Sequence, residues 1–168
     1  MKSSLSVLLL LSFLFSALIW VNPLHTTEPD DFFVNLQRQH QQNVEHQKRV
    51  ALIKFFQRYN APLPYYITDY LNASNKYNLD YRLLPAISVQ ESGAGRHACG
   101  DGIRRWGFGS CKGYTFKNVA EGIDYVSNTL ALGSYYRGKT THQNLIAYNP
   151  NPEYAGKVER LMKEISNE

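Results

Sequence analysis

The sequence predicts a mainly α protein. Across residues 61–168, apolar side chains return at helical spacing, and helix start and stop residues punctuate the stretch. No run alternates apolar and polar residues as a half-buried strand would. The chain has 168 residues, 43% hydrophobic and 19% charged, which suits one globular domain and excludes wholesale disorder. Two cysteines are too few for a disulfide-dense scaffold or a four-cysteine zinc module.

Three segments differ in composition. Residues 1–22 hold Lys2 followed by an apolar run of 17 residues from Leu5 to Val21. Signal peptides carry about 7–15 apolar residues and membrane spans about 17–25, so a cleaved signal and an uncleaved anchor both remain open, with a buried core helix as the minor alternative. The basic residue precedes the run and Glu28, Asp30 and Asp31 come after it, so either reading puts the rest of the chain outside the cytoplasm, anchored or secreted. Residues 23–60 are rich in Gln, His and charge and predict a polar helical stalk, with Val50 to Phe56 dense enough to pack on the downstream domain. His40 and His46 are six positions apart and do not share a helical face, which argues against a metal pair. Pro62 and Pro64 then break the helix and open a domain over 61–168.

Within that domain, Tyr66, Ile67, Tyr70, Leu71 and Tyr77 mark a first helix. Asp80 is placed to cap a second, whose stripe is Leu83, Leu84 and Ile87 and which stops near Glu91 because Gly93 and Gly95 come next. Residues 93–113 are glycine-rich, hold both cysteines and lack periodicity, which predicts a small irregular lobe. Asn118 caps a helix with Val119, Ile123, Val126 and Leu130 inside; Thr141 caps a short helix ending near Tyr148. Asn151-Pro152-Glu153 opens a last helix with Val158, Leu161, Met162 and Ile165 on its apolar face.

The chemistry centres on Glu91, a carboxylate at the end of an otherwise apolar helix, facing the lobe. A carboxyl group against apolar walls holds its proton to higher pH, and a neutral carboxylic acid can protonate a leaving oxygen. By position alone, a surface residue at a helix end is the more economical description. The neighbourhood shifts that balance. LDYRLLPAISVQESG (79–93), WGFGSCKGY (106–114), NVAEGIDYVSNTL (118–130) and LIAYNP (145–150), in that order, resemble the lysozyme-like superfamily. The resemblance is strongest to its glucosaminidase branch (mannosyl-glycoprotein endo-β-N-acetylglucosaminidase-like domains), with soluble lytic transglycosylases next. It implies a lysozyme-like fold in which Glu91 is the catalytic acid and Ser92, the next residue, contacts the substrate. It implies that Trp106-Gly107-Phe108-Gly109 lines a sugar groove, here without the preceding Asn pair. It also implies that Tyr148 of Ala147-Tyr148-Asn149 lies beside the acid, although Pro150-Asn151 departs from the Ala-Gly of the transglycosylase motif.

The remaining site residues are read in that frame. Trp106, between Arg105 and Gly107, is expected to be exposed and to stack on a pyranose ring; Phe108 and Tyr114 are further candidates, with core packing the stronger reading for Phe108. Asp101 is the best candidate for a second carboxylate, because Glu121 and Asp124 are explained by their place early in a helix. No second carboxylate is needed if the 2-acetamido group of the substrate attacks the anomeric carbon. Outside the cytoplasm Cys99 and Cys111 are expected to form a disulfide closing a loop of 13 residues, worth up to about 3 kcal/mol in the chain-entropy picture. A metal site on His97, Cys99, Cys111 and His142 has no supporting spacing, so neither metal nor cofactor is expected. Arg96, Arg104, Arg105 and Lys112 make the lobe basic, which suits an anionic cell-wall polymer or a plain solvated surface. Residues 61–168 carry 12 Lys and Arg against 10 Asp and Glu, too small an excess for a nucleic-acid surface.

The expected activity is hydrolysis of β-1,4 bonds between amino sugars of peptidoglycan. A lytic transglycosylase on the same polymer, and a glycan-binding or scaffold module without catalysis, are the alternatives the sequence leaves open.

Overall fold

The computed structural model describes residues 29–99, 103–108 and 116–166. Every regular element among them is helical: α1 (Pro29–Arg58), α2 (Ile67–Tyr77), α3 (Leu83–Ser92), α4 (Val119–Leu132), α5 (Thr141–Tyr148) and α6 (Tyr154–Ser166). The mainly α class is therefore borne out. The segment expected to be a signal or anchor lies outside the described residues; among those described, no helix is long and apolar enough to cross a membrane.

The chain divides into one unit ending at Gln41 and a second from Gln42 to Glu168. In the first, the described stretch of α1 exposes Phe32, Phe33, Val34 and Leu36, with Arg38 donating to Asn35 at 2.9 Å. The second unit begins inside the segment expected to be stalk. The reason is packing: Leu52, Phe55 and Phe56 of α1 are buried, so the second half of this helix is a core element. The expectation that Val50 to Phe56 packs on the downstream domain holds, while the expected boundary at residue 61 falls too late.

In the second unit, α2 packs on α4, and α3 and α5 both pack on α6. The predicted stripes are the buried ones: Leu83, Leu84 and Ile87 in α3; Val119, Ile123, Val126 and Leu130 in α4; Val158, Leu161, Met162 and Ile165 in α6. Trp106 fills the middle. Its ring meets Tyr70 edge-on at 6.3 Å and Phe116 at 6.4 Å, geometries that suit the aromatic quadrupole. Gly122 of α4 makes room for it, since a Cβ there would lie 2.6 Å from the indole Cζ3.

Three helix starts differ from expectation by one or a few residues. Asp80 does not cap α3 directly; its Oδ1 accepts from the Arg82 backbone at 3.0 Å and from Arg82 Nε at 2.8 Å, and the helix starts at Leu83. Thr140, not Thr141, caps α5, because Gln143 supplies the reciprocal partner of a capping box. Asn151 accepts from the Glu153 backbone at 2.9 Å, but Pro152 and Glu153 form a turn and α6 begins at Tyr154. The Asn118 cap of α4 is as predicted, with Oδ1 accepting from the Glu121 backbone at 2.9 Å.

Two predictions test this packing. Leu52→Ala lowers the unfolding free energy in urea by about 2–5 kcal/mol, whereas Leu36→Ala changes it by less than about 0.5 kcal/mol; equal effects would return the whole of α1 to a solvated spacer. Asp80 gives the second. Burial alone raises its carboxyl, but the side-chain and backbone hydrogen bonds of Arg82 outweigh burial and hold it below the ordinary value. A depressed carboxylate contributes stability above its unfolded pKa and loses it as pH falls through the folded one. Wild-type protein therefore loses more of its urea midpoint between about pH 7 and about pH 3 than Asp80→Asn does.

Candidate functional site

Glu91 occupies the last turn of α3 and is partly buried. The chain leaves the helix sharply. Gly93 has φ +57°, its N–H donates to the Val89 carbonyl at 2.9 Å, and the Ala94 N–H returns to the Ser88 carbonyl at 2.9 Å. These bonds satisfy carbonyls that the helix end would otherwise leave open.

Ser92 fastens this turn to the lobe. Its hydroxyl donates to the Arg105 carbonyl at 2.8 Å and lies 3.1 Å from the Ser88 carbonyl, and its oxygen accepts from the Gly95 N–H at 2.9 Å. The side chain is buried. The expectation that Ser92 contacts substrate is corrected: its hydroxyl is occupied, and it positions the segment that faces Glu91.

That segment is 103–108. Gly107 lies against Glu91 so closely that a Cβ would be 2.4 Å from Oε2. It also has φ +66°, where an L side chain is strained. Both constraints demand glycine at this place. The expectation that Trp106 is an exposed stacking residue is overturned. The indole has no exposed surface, because the ring that precedes Gly107 turns into the core between Tyr70 and Phe116. Phe108 is partly buried and touches Tyr125 at 6.1 Å and Tyr148 at 5.7 Å between ring centres, in keeping with core packing.

Two tyrosines complete the setting. Tyr154, the first residue of α6, donates its hydroxyl to Glu91 Oε1 at 2.6 Å. Tyr148, at the end of α5, stacks on Tyr154 with ring centres 5.9 Å apart and planes 13° from parallel, and donates to the Trp106 carbonyl. Burial, then the Glu91 hydrogen bond and charge, pushes the Tyr154 phenol far up; burial, then Glu91, does the same for Tyr148. Both phenols therefore stay protonated and donate throughout the neutral and alkaline range. The structure thus brings Glu91, Tyr148 and Phe108 together as expected, but the tyrosine that bonds the acid is Tyr154. It escaped sequence reading because it looked like one apolar position among Val158, Leu161, Met162 and Ile165. A signal was present: a tyrosine on a buried stripe needs a partner for its hydroxyl.

Two other carboxylates, Asp124 and Glu121, have structural partners. Asp124 pairs with Lys76 at 2.8 Å and accepts from Tyr77 at 3.0 Å, and the Lys76 bond holds it below the ordinary carboxylate value. Glu121 accepts from the Lys117 backbone at 2.5 Å. Asp101, Tyr114 and Cys111 lie outside the described residues, and with Cys111 so does the expected bridge to Cys99. No group of three or more potential metal ligands is found among the described residues.

The closeness of Gly107 to Glu91 gives a test. Gly107→Ala lowers the unfolding free energy in urea by about 1–3 kcal/mol, and the loss shrinks when Glu91 is also shortened to Ala, because the clashing carboxylate is then gone. Additive losses would show that the two residues do not touch. Comparisons with protein-family models, with curated proteins and with solved structures find no match to this chain.

Proposed function

We propose that this chain is an extracytoplasmic glycan hydrolase of lysozyme-like fold that cleaves β-1,4 bonds between amino sugars of peptidoglycan. The observation that supports the reading is the setting of Glu91. It is a partly buried carboxylate at a helix end, hydrogen-bonded to a tyrosine whose phenol burial pushes far up, and faced by a glycine that leaves its second oxygen room. A general acid needs such a fixed, partly desolvated carboxyl within reach of a leaving oxygen.

In this mechanism Glu91 gives its proton to the glycosidic oxygen as the anomeric bond breaks. The carbonyl oxygen of the substrate's own 2-acetamido group attacks the anomeric carbon and forms a cyclic oxazolinium ion, so no protein nucleophile is required. Water then opens the ring, and the Glu91 carboxylate takes the proton released from that water. Tyr154 holds one carboxylate oxygen in place through both steps, and Tyr148 steadies the wall by fixing Phe108 and the Trp106 carbonyl. In the same proposal the N-terminal apolar run anchors or exports the domain, and a Cys99–Cys111 bridge staples the lobe.

Digestion of purified peptidoglycan tests the reading. Wild-type protein releases fragments that carry one added water per cleavage, read by mass spectrometry. Glu91→Gln lowers that release by at least about 100-fold while the urea midpoint stays within the range of a surface substitution. Anhydro ends in place of added water would make the chain a lytic transglycosylase. Sugar binding without turnover would make it a binding module and end the hydrolase assignment.

A further inference from the structure

The chemistry at Glu91 leaves the apolar start of α1 without a role. Phe32 is 58% exposed, Phe33 61% and Leu36 45%. At about 3.6 residues per turn these three fall within about 100° of the helix circumference. The two phenyl rings meet edge-on with centres 5.8 Å apart, so they form one exposed aromatic pair. Asp31, Asn35 and Arg38 fall toward the opposite side, where Arg38 donates to Asn35 at 2.9 Å; Val34 is the apolar residue among them. The helix start is thus two-faced, with its apolar side open.

The sequence on either side says what covers that face. Beyond Leu36, apolar residues recur too sparsely for the heptad seam a partner helix needs. Before it, the 17-residue apolar run ends at Val21, eleven positions ahead of Phe32. Even a fully extended connection of that length spans only about 40 Å. A run inserted in a bilayer therefore keeps Phe32, Phe33 and Leu36 within reach of the bilayer surface. Residues 22–31 carry Glu28, Asp30 and Asp31 and no Lys or Arg, which suits headgroups without net charge better than anionic ones.

We propose that the start of α1 lies along a phospholipid surface, with Phe32, Phe33 and Leu36 about 5–10 Å deep at the boundary of headgroups and acyl chains. Asn35 and Arg38 face water. Three side chains are too few to hold a protein on lipid; the apolar run supplies the hold, and this face sets how the helix start is oriented. The inference rests on the anchor reading of the N-terminal run and is independent of the reaction at Glu91.

Fluorescence quenching of the full chain in phosphatidylcholine vesicles tests this. In a Trp20→Phe background, Phe33→Trp and Arg38→Trp each place one indole at an exposed position of the helix start; Trp106, in the core, gives the constant background measured in Trp20→Phe alone. Phosphatidylcholine brominated on the upper acyl chain quenches the Phe33→Trp emission at least about twofold more than that of Arg38→Trp. Flotation of the same vesicles reads the anchor separately. Co-flotation with no quenching of Phe33→Trp overturns the inference and leaves the anchor reading standing. A blue-shifted but unquenched Phe33→Trp emission means that protein covers the face, and overturns it as well. Equal quenching at both positions would remove the two-faced arrangement. Failure of the full chain to float with the vesicles overturns inference and anchor reading together.

Discussion

Three contacts at the Ser92 hydroxyl join the end of α3, the turn after it and segment 103–108. Two different places in the molecule depend on that junction. On one side it holds Gly107 against the Glu91 carboxylate. On the other it aligns Gly95 with the buried Arg105. A buried hydroxyl with its hydrogen bonds made is worth more here than its net energy suggests, because leaving any of the three partners unsatisfied would cost their desolvation. The residue beside the candidate acid therefore serves geometry, and the acid inherits its position from it.

Trp106 is the second anchor of the same segment. With its ring in the core, the backbone on either side is fixed: the Arg105 carbonyl accepts from Ser92 and the Trp106 carbonyl from Tyr148. The aromatic excess of the sequence is largely consumed by such contacts. Phe56 meets Tyr70, Tyr70 meets Trp106, Trp106 meets Phe116, and Phe116 meets Tyr125. Tyr125 meets Phe108, Phe108 meets Tyr148, and Tyr148 stacks on Tyr154. The series runs from α1 through the core to the hydroxyl that bonds Glu91. A stacked or edge-on ring pair adds roughly 0.5–1.5 kcal/mol beyond the area it buries, so these rings specify as well as fill the core.

The polar partners show a division of labour. Asp80 is matched to Arg82 and Asp124 to Lys76, pairs whose strength varies with pH and salt. Glu91 is matched instead to a phenol that burial keeps protonated. Such a partner holds one oxygen without bringing a positive charge to the carboxylate.

The helical class, the buried stripes of α3, α4 and α6, the Asn118 cap and the place of Glu91 at a helix end were all legible in the sequence. Each depends on local chemistry: residue period, capping oxygens and glycines that accept positive φ. The tertiary structure decided the rest. It drew Leu52, Phe55 and Phe56 of the supposed stalk into the core, because a dense apolar stripe buries itself wherever a complementary face exists. It turned Trp106 inward, made Ser92 a fastener and set Tyr154 on the acid. In each case the deciding contact lies between residues more than ten positions apart, and neither spacing nor composition encodes which face of a loop or helix a distant residue will meet.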